Sequence, residues 1–131
     1  MNEVERFQAL CDQGRFLEAV PIIEALIESA PHISTSWFNY GIVLNSLGRT
    51  LDSAEAFLKS ANLDPQKRGL YSACRALAQT QAADRLAEVF EAELRENPLL
   101  LEKFVAGEFA RFWDLPAFSQ LNAKYRGRGN Q

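Results

Sequence analysis

Two stretches of this 131-residue chain repeat each other at a fixed distance, and that constrains the fold more than any other feature. Gly14-Arg15-Phe16-Leu17-Glu18-Ala19-Val20 and Gly48-Arg49-Thr50-Leu51-Asp52-Ser53-Ala54 agree at Gly, Arg and Leu, with like acids and small residues following, at an offset of 34. The same offset pairs Leu10 with Leu44, Ile23 with Phe57 and Pro31 with Pro65, so it runs through a full unit. A period of this length belongs to arrays whose units cannot bury their apolar faces alone. Stacked neighbours cover them, and about three or more units are needed for stability.

Each unit reads as two helices meeting at the glycine. In the second, Ser34-Thr35-Ser36 offers capping hydroxyls, and Trp37, Tyr40, Gly41 and Leu44 recur at i, i+3, i+4 and i+7 on one face. Gly48 ends that helix. Ala54, Phe57, Leu58 and Ala61 point a second helix inward, and Asp64-Pro65 supplies the next cap and first helical position. A third unit sets Tyr71 and Cys74 in phase with Trp37 and Tyr40, replaces the glycine turn with Thr80-Gln81-Ala82, and closes on Pro98 after losing one residue. The spacing predicts an all-α chain with helices near 2-12, 17-29, 35-47, 51-62, 66-79, 82-96, 98-113 and 116-125. Pro21 requires either a helix that begins near Leu17, with the proline in its first turn, or a kink; the span 17-29 takes the former.

Beyond Asn97 the repeat is lost while helical spacing continues. Phe104, Phe109, Phe112, Trp113, Phe118 and Tyr125 exceed what one amphipathic stripe requires. As a terminal cap they would cover the inward face Leu86, Val89, Phe90 and Leu94 of the sixth helix, with Phe104, Phe112 and Phe118 as the cover. Alternatively the surplus, Phe109 and Trp113 above all, forms a partner or homodimer surface. The expected organisation is a single domain over 1-125, in hairpins 2-31, 34-63, 66-97 and 98-125, followed by a flexible, basic, Gly-rich tail at 126-131.

Trp37, Gly41, Phe57 and Pro65 fit the pattern Trp-x2-Leu-Gly-x2-Tyr, Ala-x3-Phe, Pro, with Tyr40, Leu44 and Ser53 standing where Leu, Tyr and Ala are usual. The chain thereby resembles the tetratricopeptide repeat family. The match is closest over 34-66, holds over the second half of the first unit at 14-31, and fades over 69-97; Glu3, Arg6 and Phe7 depart from the family in the first helix. The resemblance implies a right-handed α-α superhelix of hairpins with a divergent C-terminal cap, and a non-catalytic scaffold that holds a peptide or partner helix in a concave groove. Projected onto this chain, the groove residues are Val4, Glu5 and Gln8, then Phe38, Asn39 and Ile42, then Ser72, Ala73 and Ala76. Family members that grip a peptide's terminal carboxylate use a clamp of Lys, Arg and Asn. Here Asn39 keeps one clamp position, while Val4, Gln8, Gly69 and Ala73 supply no positive charge.

The chemical inventory is small. His32, the only histidine, follows Pro31 in a connecting stretch, and Cys11 and Cys74 form no Cys-x-x-Cys pair. No phosphate loop, His-Glu-x-x-His or Gly-x-Ser-x-Gly motif occurs, and Glu24 with Glu28 is an i,i+4 pair on a solvated face. Neither an enzymatic activity nor a cofactor or metal is therefore expected. A net charge of -3 gathers no phosphates, so nucleic acid is not an expected partner; apolar runs of a few residues cannot span a bilayer. Acidic Glu3 and Glu5 stand where a secretory signal would be basic, which makes the cytoplasm the expected location. Besides the groove scaffold, two roles fit: a homo-oligomeric assembly module, and an accessory domain regulating a separate enzyme.

Overall fold

The structure is a computed structural model that describes residues 1–127. Its regular elements are helical throughout the described residues: α1 Glu3–Asp12, α2 Phe16–Ser29, α3 Ser34–Ser46, α4 Thr50–Leu63, α5 Leu70–Gln79 and α6 Ala83–Glu96, then α7 Leu101–Phe104 and α8 Ser119–Leu121 among short 3-10 and π turns. None of the described helices is long and apolar enough to cross a membrane. The chain divides into two compact units, Met1–Ala76 and Leu77–Gln131.

The glycine turns work as the repeat requires. Gly14 and Gly48 take left-handed backbone with φ of 72° and 79°, a region that a Cβ makes unfavourable. Beyond each, the next amide bonds back across the helix end: Arg15 N to Leu10 O at 2.8 Å, Arg49 N to Leu44 O at 2.9 Å. The same closure recurs as Ala82 N to Leu77 O at 2.9 Å, with Gln81 at φ 59° in the glycine's place. Leu10, Leu44 and Leu77 are thus equivalent, and the last step is 33 residues.

In the first unit α1 packs on α2, α2 on α3 and α3 on α4. Phe7, Ala19, Ile22, Ile23 and Val43 form one cluster, flanked by Leu10, Phe16, Val20 and Leu47. Where α3 meets α4, the Phe57 ring lies so close to Gly41 that a Cβ there would sit 2.7 Å from Cδ1. Ser53, standing where the pattern has alanine, donates its hydroxyl to the Gly41 carbonyl at 2.8 Å. At the other end of the pair, Ser34 Oγ donates to Ser60 O at 3.0 Å and Ser60 Oγ to Ser34 O at 2.9 Å. Buried hydroxyls are satisfied at both ends, which fixes the antiparallel register of the hairpin.

Four sequence expectations are corrected. Helix α2 starts at Phe16, so Pro21 lies past its first turn, on the exposed face of the helix. Asp64-Pro65 does not open a helix. Asp64 instead accepts from Gln66 N and Arg68 N at 3.1 Å each, Lys67 turns to φ 50°, and α5 begins only at Leu70. The single helix expected over 98-113 is three pieces, because Ala106 is extended and Gly107 takes φ 56°. The last expected helix, 116-125, is likewise a 3-10 turn, one turn of α8 and a π turn to Arg126. Of the expected tail 126-131, residues 128-131 lie outside the described residues.

In the second unit α6 turns Leu86, Val89, Phe90 and Leu94 inward. Around Phe90 stand Phe104, stacked at 4.0 Å between centroids, Phe109 edge-on at 5.4 Å, Phe118 edge-on at 5.8 Å and Trp113 at 6.2 Å. Trp113 Nε1 donates to Phe104 O at 2.8 Å, and the buried Asn122 amide donates to Trp113 O. Arg111 Nη2 donates to Ala78 O at 3.1 Å, joining the 3-10 segment to the end of α5.

Candidate functional site

Exposed apolar side chains at helical spacing, set on the first helix of each hairpin, are where a scaffold would meet a partner. On α1, Val4 is 60% exposed and Glu5 and Gln8 are exposed beside it, one turn apart. Gln8 Nε2 donates to Asp12 Oδ1 at 3.1 Å, which extends this polar ladder along the helix. On α3, Phe38 and Asn39 are half-buried and Ile42 is 42% exposed. Phe38 leans on Phe57, ring centroids 5.2 Å apart, so one side of it is packing and the other is surface.

The third projected set fails in part. Ser72 is half-buried, but Ala73 and Ala76 are buried, while Tyr71 is 61% exposed and Arg75 is exposed. The one-residue loss accounts for this. With 33 in place of 34 the helix is rotated by about 100° relative to the projection, and Leu70 and Ala73, not Tyr71 and Cys74, become the counterparts of Trp37 and Tyr40. Tyr71 then corresponds to Phe38 and Arg75 to Ile42, with the Arg75 guanidinium 5.8 Å from the Tyr71 ring centroid. Gly69 is buried, its Cα so close to Phe57 O that a Cβ would stand 2.8 Å away, and Arg68 takes the outward position beside it. The surface is therefore not without positive charge, contrary to the 34-residue projection. The signal that could have found this was already in the sequence, since Pro98 follows Pro65 by 33.

Beside Phe38 the first unit has an open cavity of about 250 Å³, lined by Ser34, Thr35, Phe38, Ser60, Asp64 and Arg68. Its polar floor is spent: the two serines bond each other's carbonyls, and Asp64 takes both backbone amides and Arg68 Nε at 2.8 Å. The Arg68 guanidinium and those amides hold the Asp64 carboxyl well below the usual carboxylate range. A second recess of about 240 Å³, lined by Trp37, Tyr40, Arg49 and Asp52 among others, adjoins the link between hairpins. There Tyr40 OH donates to Glu24 Oε2 at 2.8 Å, tying α3 to α2; burial and that bond push the phenol above its ordinary value and keep it a donor.

Neither a scan against models of known families nor a comparison with curated proteins finds a match.

Phe109 and Trp113, the candidate partner surface, are buried in the cluster around Phe90. This corrects the interface reading of those two residues, since a ring closed on every side has no face left to offer. Among the described residues no group of three or more His, Cys, Asp or Glu could hold a metal ion. Cys11 is half-buried, and burial, with Asp12 beside it, raises its thiol, which disfavours the reactive thiolate.

Proposed function

We propose that the chain is a non-catalytic interaction scaffold, a right-handed superhelix of tetratricopeptide-type hairpins that holds a peptide or partner helix along the first helices of its units. The observation that carries this reading is the face of α3. Ile42 is exposed and Phe38 half-exposed on a helix whose aliphatic residues Val43 and Leu44 are fully buried and whose Trp37 and Tyr40 are half-buried. An apolar pair left outside a completed core, beside an open cavity, is the kind of surface that partners cover. The threefold recurrence of the helix-ending closure supports the repeat architecture.

The test is Ile42→Glu in a co-purification experiment with quantified partner recovery. The scaffold reading expects recovery to fall about tenfold or more, as losing roughly 1.4 kcal/mol at an interface would give, with the melting temperature within a degree or two of the parent. Unchanged recovery with Ile42→Glu would end it.

A further inference from the structure

We infer that the cavity beside Phe38 is a docking site for an acidic peptide segment, taking one large apolar side chain against the Phe38 ring and an adjacent side-chain carboxylate on the outer edge of Arg68. The inference rests on the scaffold reading and adds the chemistry of the partner.

Most of the cavity's polar groups are already engaged. Ser34 and Ser60 are committed to each other's carbonyls. Asp64, nearly buried, is saturated by two amides and by Arg68 Nε and Nη2. Its acceptor capacity is spent on holding the guanidinium, so the cavity offers no acceptor to a ligand there. Arg68 is different. Its side chain is 74% exposed, and the pair with Asp64 engages Nε and Nη2, leaving Nη1 on the solvent side. A guanidinium fixed at one edge loses little freedom on binding at the other, and its planar fork suits a carboxylate. Exposed Thr35 adds a hydroxyl at the rim, and the remaining wall is apolar: the open side of Phe38, whose far side is supported by Phe57. A ligand complementary to this cavity brings an acceptor with negative charge beside a bulky apolar group.

The probes are two capped dipeptides, N-acetyl-Phe-Glu-amide and N-acetyl-Phe-Gln-amide, which lack a terminal carboxylate, titrated into the full chain and followed by amide shifts in a 15N-1H correlation spectrum. Saturable shifts at Thr35, Phe38 and Arg68 with the Glu probe, and binding about tenfold weaker with the Gln probe, are expected for a charge-assisted bond. Arg68→Gln should erase the difference between probes. Because that change also removes the partner of Asp64, Thr35→Asp is the second variant: it sets a competing carboxylate at the rim, on an exposed first-turn position where an acid is tolerated. It should abolish Glu-probe binding with an otherwise unchanged spectrum. Equal binding of the two probes, shifts centred elsewhere, or undiminished binding to Thr35→Asp would overturn the inference. If these probes fail while Ile42→Glu still reduces partner recovery, the scaffold reading stands and only the acidic partner is lost.

Discussion

Phe118 offers the sharpest test of how the second unit is held together. Its ring is fully buried, with centroids 5.3 Å from Trp113, 5.8 Å from Phe90 and 6.1 Å from Phe112. Replacing it with alanine removes a ring touching three others and leaves a cavity that the short turns on either side cannot readily fill. Truncations of this kind cost about 3–5 kcal/mol, which is comparable with the whole stability of a small domain, roughly 5–15 kcal/mol. With a urea slope of about 1–3 kcal/mol per M, the unfolding midpoint should fall by at least about 1 M. The chain has two tryptophans, so a Trp37→Phe background leaves Trp113, inside this cluster, as the only indole emitter. Urea titration of that background with and without Phe118→Ala, followed by Trp113 emission and far-UV circular dichroism, measures the cost where it arises. Leu99→Ala is the control. That side chain is 85% exposed, and the change should stay within about 0.5 kcal/mol. If Phe118→Ala costs less than about 1 kcal/mol while Leu99→Ala is silent, the aromatic cluster is not the core of this unit.

Gly41→Ala should lower the melting temperature, because its Cβ would meet the Phe57 ring at 2.7 Å, and forced overpacking costs about 1–3 kcal/mol; a neutral result would mean that the ring swings clear. Gln81→Gly should raise stability by about 0.5–1 kcal/mol in the same urea assay, since φ of 59° burdens a side chain and suits glycine, whereas Gly48→Val should cost on the order of 1 kcal/mol or more. For Asp64 the folded carboxyl ionises at lower pH than the unfolded one, so its contribution is fully present above about pH 4 and is lost as pH falls below it. Asp64→Asn should therefore flatten the acid side of the stability profile, and an unchanged acid limb would refute the role given to Arg68 and the two amides.

The aromatic count in the C-terminal third shows what a sequence can say about a core and what it cannot. Fourteen aromatics in 131 residues, six of them after Asn97, announce that something large is being covered. That Phe109 and Trp113 belong inside depends on Ala106 and Gly107 breaking the helix, which lets a chain of short turns bring rings onto Phe90 from several sides. Spacing alone cannot show this, because i, i+3 and i+4 periodicity assumes one straight helix with one inward face.

Local chemistry was enough for α1 to α4 and α6. Their ends fall within a residue or two of the expected spans, and the left-handed turns sit at Gly14 and Gly48 because backbone geometry there is set by a few neighbouring residues. The phase of α5 was decided by packing. One residue fewer rotates a helix by about 100°; the 33 residues from Pro65 to Pro98 show that one is missing, and burial of Leu70, Ala73 and Leu77 shows that it is lost ahead of α5. The same holds for the cavity beside Phe38. Nothing in the sequence joins Ser34, Ser60, Asp64 and Arg68, and they become one site because the antiparallel α3–α4 pair returns the end of α4 to the start of α3, where hydrogen bonds spend the serines and Asp64 and leave the outer edge of one guanidinium open.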